Sequence, residues 1–467
     1  MRFVLVWLWL AAELLGAAPA WQEELDAAIA KAMEQQKVPG LALGVIQNGQ
    51  VVMAKGYGVR DLVSRKAVTE KTLFGMGSVT KSFTAAVVAA VIADGKLEWD
   101  KPVREYLPWF RMYDPVATEL ITVRDMLTHR SGLPRHDFIR FSTYLTREEL
   151  VRRVRYLEPN KTFREVYQYN NLMFVTAGYL AGVMAGSTWE DLVRERVFVP
   201  VGMTRSNTST RDSVKADDFA KPHEGGKETE FYYYQQFGVG PNGAVNSTAE
   251  DMLKYLQMWL DRGQSNGKQV LPAEQVTEVF RPVSVVNSTA MYAPGWQVGT
   301  HRGHRSISHG GAITGFRAHM ILLPEEKAGV VAMINDESGL AGDAASLAAD
   351  YVLGVKPRDI ARSGGQGGGR RGGPEPVAGT RPSKALAEYA GVYRHPAYGN
   401  VRVEERDGGL DVRFDAVTLR LKHFHYDVFS TSMGMARFVL DERGGVREMR
   451  LPLEAAVRGV VFVREGR

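Results

Sequence analysis

The sequence predicts a mixed α/β protein that ends in a small all-β domain. Apolar runs typical of strands occur early, at 41–54, and again late, at 315–334. Apolar helical runs lie between them, and residues 384–467 hold short alternating segments separated by glycine-containing turns. These observations predict one domain with strands near both ends and helices in the middle, followed by a β-rich tail.

Length and composition limit the architecture and the chemistry. With 467 residues, the chain can form one large domain and a smaller one, or two to three modest ones. Hydrophobic residues make up 45% and charged residues 24%, which is globular usage with enough apolar material for a sizeable core. The absence of cysteine excludes a disulfide scaffold, a cysteine-ligated metal and a thiol nucleophile. Any nucleophile must therefore be an oxygen or an amine.

The positive charge of the chain is concentrated in one short stretch. The 58 basic and 53 acidic residues give a net charge of +5. Residues 355–384 contain seven basic and two acidic residues, an excess equal to the whole net charge. The rest of the chain is close to neutral, so no nucleic-acid partner is expected. We expect a small-molecule or short-peptide substrate instead.

Residues 1–20 are typical of a secretory signal peptide. Arg2 supplies the positive start, an apolar run follows from Phe3 to Ala12, and Ala18 to Ala20 forms an A-x-A cleavage site. The apolar run is too short to span a bilayer, and an uncleaved anchor or a wrongly assigned start is the alternative. We expect an exported protein, periplasmic or secreted, with no stable membrane span after signal removal.

The predicted large domain, residues 21–355, opens with a hairpin and a helix. Two apolar runs, Leu41 to Ile46 and Val51 to Ala54, are joined through Asn48-Gly49, a strong hairpin signal. Phe83 to Ile92 is an alanine-rich helical run, and Gly95 follows it in the usual place beyond a helix end.

Later segments of this domain predict another helix–strand alternation. A capping box from Ser247 to Glu250 is expected to open a helix from Asp251 to Leu260. Gly315 to Leu323 and Gly329 to Ile334 are predicted strands, and a helix is expected from Gly342 to Leu353. The G-x-G-x-x-G match at 238–243 is predicted to be a loop, because no apolar strand precedes it and Pro241 interrupts it.

A glycine-rich stretch separates the two predicted domains. Residues 363–384 hold eight glycines, three arginines and three prolines, so we assign 356–383 as a flexible linker and 384–467 as the tail. The tail is predicted to be a small sheet or barrel. Its predicted strands are Val401 to Val403, Leu410 to Phe414, Thr418 to Leu421, Arg437 to Leu440 and Val460 to Val463.

An S-x-x-K motif is the first candidate for an activated oxygen. Ser78 and Lys81 share a helix face at the start of the predicted helix, where the lysine amine can reach the serine hydroxyl. Backbone N–H groups at a helix start also favour an oxyanion. A second match, Ser265 with Lys268, lies in a turn-like stretch and opens no helix. An ordinary capping serine beside a solvated lysine is the alternative for Ser78.

A serine–lysine pair needs a second proton-transfer group and an oxyanion partner, and two further motifs offer candidates for these roles. Tyr169 and Asn171 form a Tyr-x-Asn before an apolar helical run, whereas the rival at Tyr398 lies in the β-rich tail. Of three His-x-Gly matches, only His309 adjoins a predicted strand. The other two begin at His223 and His301.

Together these motifs resemble those of the serine β-lactamase-related family, which contains class C β-lactamases, penicillin-binding DD-peptidases, D-aminopeptidases and esterases. The resemblance is supported by residues 125–134 and by Gly295-Trp296, and it covers about residues 25–354. It implies an antiparallel sheet flanked by helices, plus an all-helical subdomain. Residues 389–393 and 423–429 resemble the lipocalin-like β domain appended to some members.

The resemblance also implies roles in a two-step acyl transfer. Ser78 would attack a carbonyl, Lys81 and Tyr169 would share the proton transfers, and Asn171 would orient the substrate and Lys81. The N–H groups of Ser78 and Ala312 would form the oxyanion hole. Whether Lys81 or Tyr169 is the base stays open, because the pair titrates as one coupled unit.

The third motif departs from the β-lactamase pattern. His309 stands where β-lactamases of this kind usually carry lysine, and Gly310 and Gly311 follow it on the substrate-binding strand. Esterase and D-amino-acid peptidase members more often tolerate this change. We therefore expect an ester or a small amide as substrate, with weak β-lactam hydrolysis.

The sequence thus predicts an exported serine hydrolase that needs no cofactor and no metal. Two alternatives stay open: a catalytically idle binding or scaffold protein, and a penicillin-binding protein that is acylated without turnover. His423 and His425 could hold a metal or simply pack. Tyr232, Tyr233 and Tyr234 could wall a substrate groove or belong to a loop.

Overall fold

The computed structural model of the protein describes residues 20–231, 239–360 and 375–466. Residues 1–19 of the predicted signal peptide, 361–374 of the predicted linker, Gly238 and the tyrosines at 232–234 lie outside the described residues.

An antiparallel sheet forms the centre of the large domain. In the described part of the chain, eight strands pair in the order β2-β1-β8-β7-β6-β5-β4-β3, so both ends of the domain meet at neighbouring strands β1 and β8. The strands are β1 Gly40–Gln47, β2 Gln50–Gly58, β3 Ser284–Asn287, β4 Ala290–Ala293, β5 Trp296–His301, β6 His304–Ile313, β7 Phe316–Leu323 and β8 Ala328–Ile334.

The first hairpin forms where the sequence predicts it. Asn48 and Gly49 both have positive φ, at 53° and 73°, which is the backbone that a two-residue hairpin turn requires. The predicted strands at 315–323 and 329–334 are confirmed as β7 and β8. β6 runs from His304 to Ile313, so His309 lies inside the strand rather than next to it.

Helices cover both faces of this sheet. Alternate residues of β1 point to opposite faces: Leu41 and Leu43 pack in one core with α1 and α5, and Ala42 packs in the other with α2 and α4. The long helices are α1 Gln22–Gln36, α2 Thr80–Ala93, α3 Asn171–Ala185, α4 Ala249–Leu260 and α5 Leu340–Val352.

Shorter helices surround α2 and α3 and form the helical subdomain. α2 is buried along nearly its whole length because its outward positions carry Ala, Val and Thr, which pack closely against α3. The other α-helices are Val103–Tyr106, Pro115–Leu120, Val123–Leu127, Phe138–Ser142, Arg147–Arg153, Trp189–Val193, Val199–Val201, Thr210–Ser213, Gly240–Gly243, Ala273–Val279 and Leu386–Tyr389.

Short elements complete the large domain. They include the 3-10 turns Gly77–Val79 and Val154–Tyr156 and the π-helical turn Arg194–Phe198. Three short strand pairs are Phe74–Gly75 with Asn246–Ser247, His223–Glu224 with Lys227–Glu228, and Gln264–Ser265 with Lys268–Gln269.

The tail folds as a closed barrel of eight antiparallel strands within the described residues. The five predicted strands are present, and β9, β13 and β15 were not predicted. The strands are β9 Gly391–His395, β10 Gly399–Arg406, β11 Gly409–Arg413, β12 Thr418–His425, β13 Val428–Thr431, β14 Gly434–Leu440, β15 Val446–Leu451 and β16 Val460–Arg464. The predicted fold class, a mixed α/β domain with an antiparallel sheet and a barrel-like tail, is thereby confirmed.

Two local predictions were wrong. The cap of α4 is Thr248, whose side chain accepts the N–H of Asp251, because Ser247 is already engaged in a strand pair with Phe74. The segment Gly240–Gly243 forms one helical turn rather than a loop, because Pro241 occupies its first turn, where proline is well tolerated.

In the described ranges, no single helix is long and apolar enough to cross a membrane. By length and composition alone, α3 passes that test together with the following segment Trp189–Val201, to which it is bent by 82°.

Phe83 should be a major source of stability in the large domain. Its ring is fully buried and stacks on Tyr255 at 4.0 Å between centroids, with Phe198 at 5.8 Å edge-on. We expect Phe83→Ala to lower the free energy of unfolding by about 3–5 kcal/mol, because the vacated space cannot refill. Guanidinium unfolding followed by tryptophan fluorescence measures this. Val63→Ala, at an 82% exposed position, is the control, and equal effects of the two changes would contradict the packing described here.

Candidate active site

Ser78 and Lys81 meet at the start of α2. Ser78 lies in the 3-10 turn Gly77–Val79 and is half-buried, whereas Lys81 is completely buried one turn later. Lys81 Nζ lies 3.0 Å from Ser78 Oγ and donates to the backbone carbonyl of Asn242, also at 3.0 Å. The i, i+3 spacing in the sequence therefore places the amine in hydrogen-bond contact with the hydroxyl.

The surroundings of Lys81 favour the uncharged amine. Burial holds the pKa of Lys81 well below its usual value, and the nearby Arg140 and Arg135 add to this, with Asp137 opposing. Its Nζ also faces the ring of Tyr169 at 4.7 Å. A neutral lysine amine in contact with a serine hydroxyl can accept the hydroxyl proton.

Tyr169 adjoins both Ser78 and Lys81. Burial raises the pKa of its phenol well above the usual value, and a side-chain hydrogen bond with Ser78 partly opposes this shift. Its ring packs 4.4 Å from that of His129, whose pKa burial holds well below its normal value. The phenol is therefore protonated near neutral pH, and it can donate or relay a proton at the serine.

Asn170 and Asn171 fix the start of α3. The side chain of Asn170 caps the helix by accepting the N–H of Met173. Asn171 donates through Nδ2 to Asp137 Oδ1 at 2.9 Å, and its buried Oδ1 has no hydrogen-bond partner among the described residues. The side-chain contact of Asn171 is thus with Asp137, and the hydrogen bonds of Lys81 go to Ser78 and Asn242.

His309 uses both ring nitrogens inside the protein. Nδ1 lies 2.6 Å from the carbonyl oxygen of Gly310, and because a carbonyl can only accept, Nδ1 carries the proton. Nε2 then accepts from the hydroxyl of Tyr292 at 2.7 Å. Burial lowers the pKa of His309 to about 3. The imidazole is therefore neutral at pH 7 and offers no free donor to a substrate.

Two glycines let β6 approach the serine closely. A Cβ on Gly311 would lie 1.9 Å from the carbonyl oxygen of Met76 and 3.2 Å from Ser78 N. A Cβ on Gly77, which has φ +50°, would lie 2.7 Å from Ala312 N. The backbone amides of Ser78 and Ala312 therefore lie on neighbouring, closely packed segments, as two donors to one oxyanion require.

Ser78 opens onto two cavities. The larger, of about 580 Å³, is lined on one side by Tyr169 and on the other by β6 from His309 to Ala312 and by the start of α5. The smaller, of about 260 Å³, is lined by Arg135, Asp137, Arg140, Phe141, Asn171 and Asn242 among others. Ser78, Arg135 and Ala312 line both cavities, so the serine stands between two spaces that can each hold part of a substrate.

The sequence did not single out several residues of the site. Asn242, whose backbone carbonyl accepts from Lys81, lies in the segment for which the sequence predicts a loop. Tyr292 holds His309, and Asp137 holds Asn171. No sequence motif indicated a role for these residues in the site. Ser265, the serine of the second S-x-x-K match, lies in a separate short hairpin. It pairs with Lys268 across a turn formed by Asn266 and Gly267.

Closing the gap between β6 and the serine turn should impair the reactivity of Ser78. Gly311→Ala places a methyl group against Met76 and should push β6 away, separating the amides of Ser78 and Ala312. We expect the rate of covalent labelling by a fluorophosphonate to fall by about tenfold or more. Gly329→Ala on β8 is the matched control, because its Cβ meets no atom closer than 3.5 Å. Equal labelling of both variants would contradict the proposed oxyanion geometry.

The pH dependence of the labelling rate should reflect the titration of Lys81 and not that of His309. The amine must be uncharged to take the proton, so the rate should rise with pH until the lowered pKa of Lys81 is passed. With its pKa near 3, His309 stays neutral from pH 5 to 8 and should add no inflection there. We expect His309→Gln to keep the inflections of the wild type. An inflection near pH 6.5 that the substitution removes would show that His309 titrates in the site.

Comparisons with known proteins show which family the chain resembles. The sequence model of the family described as Beta-lactamase matches residues 25–353, and a domain of unknown function (DUF3471) matches residues 375–462. The chain is 28% identical to the unguisins hydrolase ungD' of Aspergillus campestris, over 84% of this chain and 79% of that protein. It is 27% identical to a D-aminopeptidase of Cereibacter sphaeroides strain KD131, over 84% and 70% of the two chains.

A penicillin-binding protein and a solved structure are also similar to the chain. The identity to penicillin-binding protein 4 of Amycolatopsis lactamdurans is 28%, over 69% of this chain and 85% of that protein. The octameric penicillin-binding protein homologue from Pyrococcus abyssi shares the fold with a TM-score of 0.64 at 23% identity, over 94% of this chain and 99% of that one. The chain therefore belongs to the beta-lactamase family and is, by family, a serine-type hydrolase.

Proposed function

We propose that this protein is an exported serine hydrolase that acts through an acyl-enzyme on an ester or on a small amide or peptide. One observation carries the proposal: the buried amine of Lys81 lies 3.0 Å from Ser78 Oγ, next to the backbone amides of Ser78 and Ala312. This arrangement supplies a nucleophile, a base and an oxyanion site at one place.

Acylation begins with attack of Ser78 Oγ on the carbonyl carbon of the substrate. The hydroxyl proton passes to Lys81 Nζ directly, or through the phenol of Tyr169, which gives its own proton to the amine as it accepts that of the serine. The carbonyl oxygen becomes an oxyanion that accepts hydrogen bonds from the amides of Ser78 and Ala312. Collapse of this intermediate breaks the bond to the leaving group, which takes the proton from the Lys81–Tyr169 pair, and Ser78 remains acylated.

Deacylation repeats these steps with water. The same pair removes a proton from the water, the hydroxyl oxygen attacks the acyl carbon, and Ser78 Oγ recovers its proton as it leaves. The high pKa of Tyr169 and the low pKa of Lys81 favour Lys81 as the group that takes the first proton. Tyr169 then serves as the nearby relay, although the two groups titrate together.

The substrate class follows from the cleft and from the third motif. His309 is neutral, and its two ring nitrogens are hydrogen-bonded to Gly310 and Tyr292. It therefore cannot replace the lysine charge that holds the carboxylate of a β-lactam. The two cavities, of about 580 and 260 Å³, suit a small ester, amide or short peptide. Relatives described as a D-aminopeptidase and as an unguisins hydrolase support this class.

Export is proposed from the sequence of residues 1–20, with its positive start, apolar run and A-x-A site. We place the mature protein in the periplasm or outside the cell. For the mature chain we propose a hydrolase domain at 21–355, a linker at 356–383 and a β domain at 384–467. The proposed mechanism uses only side chains and backbone amides of this chain and requires no cofactor and no metal.

Replacing the nucleophile tests the proposal. We expect Ser78→Ala to lower kcat/KM on the best substrate of an ester and D-amino-acid amide panel by at least about a thousandfold, with the fold intact by circular dichroism. Ser265→Ala, the other S-x-x-K serine, should keep the wild-type rate. Loss of activity in Ser265→Ala alone would move the nucleophile to that hairpin.

The same panel separates the alternatives. A wild-type protein that hydrolyses nothing and forms no adduct is a binding or scaffold protein. One that is acylated by β-lactams without release is a penicillin-binding protein that lacks deacylation. Turnover that depends on Ser78 supports the hydrolase.

Nitrocefin should be a poor substrate. Because a hydrogen bond to a charged group contributes about 1.5–3 kcal/mol, we expect kcat/KM for nitrocefin to lie about tenfold to a hundredfold below that for the best ester. His309→Lys restores a cation and should raise the ratio of nitrocefin to ester activity. Comparable rates on nitrocefin and ester in the wild type would contradict the role given to the neutral histidine.

A further inference from the structure

One segment of the large domain contacts the active site on one side and the barrel on the other. This active-site segment comprises residues 135–142 and includes the short helix Phe138–Ser142. On its inner side, Asp137 accepts from Asn171, and Arg140 Nη1 donates to Asn242 Oδ1 at 3.1 Å. The backbone carbonyl of Asn242 in turn accepts from Lys81. The segment therefore supports two of the side chains next to the nucleophile.

The barrel holds the outer side of the same segment. Glu454 Oε2 accepts the backbone N–H of His136 at 2.7 Å, and Ala416 donates its N–H to the carbonyl of Ser142 at 3.1 Å. Between these two hydrogen bonds, the ring of Phe138 packs edge-on against Phe414, 5.0 Å between centroids. Hydrogen bonds thus fix both ends of the segment to the barrel, with an aromatic contact in the middle.

These contacts come from one end of the barrel. Ala416 lies in the turn between β11 and β12, and Glu454 lies in the connection between β15 and β16. In a barrel of antiparallel neighbours, alternate connections lie at the same end, which therefore faces the active-site segment. The helix in the segment has five residues, too few to be stable without tertiary contacts.

We propose that the C-terminal barrel is a positioning element of the active site. It holds segment 135–142 so that Asp137 keeps Asn171, and Arg140 keeps Asn242, in place beside the Ser78–Lys81 pair. Glu454 is its main positioning residue, because its carboxylate binds the amide immediately before Asp137. The inference rests on the proposed function for its catalytic consequence, and it gives a role to the domain that matches a family of unknown function.

The test compares two contacts between the same domains in the full-length protein. Glu454→Ala removes the acceptor for His136. Arg153→Gln removes a different interdomain hydrogen bond, from Arg153 Nη1 to the carbonyl of Ala397 at 2.8 Å, without touching the segment. Glu454→Gln keeps one acceptor oxygen and serves as the conservative variant. The readouts are amide hydrogen exchange of residues 135–142, and kcat and KM on the best ester.

We expect Glu454→Ala to speed amide exchange in 135–142 and to lower kcat/KM by about tenfold or more, because small displacements of orienting groups strongly slow a reaction. Arg153→Gln should leave both readouts at wild-type values, and Glu454→Gln should recover most of the loss. Equal effects of Glu454→Ala and Arg153→Gln, or no effect of the former, would overturn the inference. Amide exchange tests whether the barrel holds segment 135–142 even if the protein hydrolyses no ester. Failure of this inference can therefore be distinguished from failure of the proposed function.

Discussion

The chemistry of the cleft depends on the burial of Lys81. Among the described residues its hydrogen-bond partners are Ser78 Oγ and a backbone carbonyl, and the carboxylate of Asp137 acts on its charge only from outside hydrogen-bond contact. Burial therefore lowers the lysine pKa and leaves an amine that can accept a proton. The same burial keeps Tyr169 protonated and His309 neutral. These three groups are thus uncharged before the oxyanion forms, whereas Arg135 and Asp137 contribute charge to the lining of the cavities.

Packing places the reacting groups on rigid elements. α2 is buried against α3, the helical turn Gly240–Gly243 and the helix Ala273–Val279, so its first turn cannot move without disturbing the core. β6 lies in the middle of the sheet, and Gly311 allows it to approach the serine turn. The exception is segment 135–142, a short helix held by contacts with the active site and the barrel. The core of the large domain holds α2 and β6, whereas segment 135–142 depends in part on the barrel. The proposed positioning role of the barrel follows from this difference.

Local signals predicted much of the fold, and contacts distant in sequence account for the rest. Asn48-Gly49 specifies its turn through backbone preference, and Ser78 and Lys81 meet because i, i+3 spacing is a property of the helix. Asn242 could not be found in this way, since it reaches Lys81 from 161 residues away.

Tertiary contacts also overrode local preference. Pairing with Phe74 draws Ser247 into a strand, so that Thr248 caps the helix instead. Two of the barrel strands that were not predicted, β13 and β15, have four and six residues and are completed only by pairing with neighbours.

Intact-mass analysis of the full-length protein after fluorophosphonate treatment, followed by peptide mapping, examines the activation of Ser78 without requiring a known substrate. The burial of Lys81 beside the hydroxyl predicts one adduct per chain, on the peptide that contains Ser78, and none in Ser78→Ala. An adduct on a different serine, or no adduct on a folded protein, would contradict an activated serine–lysine pair at this site.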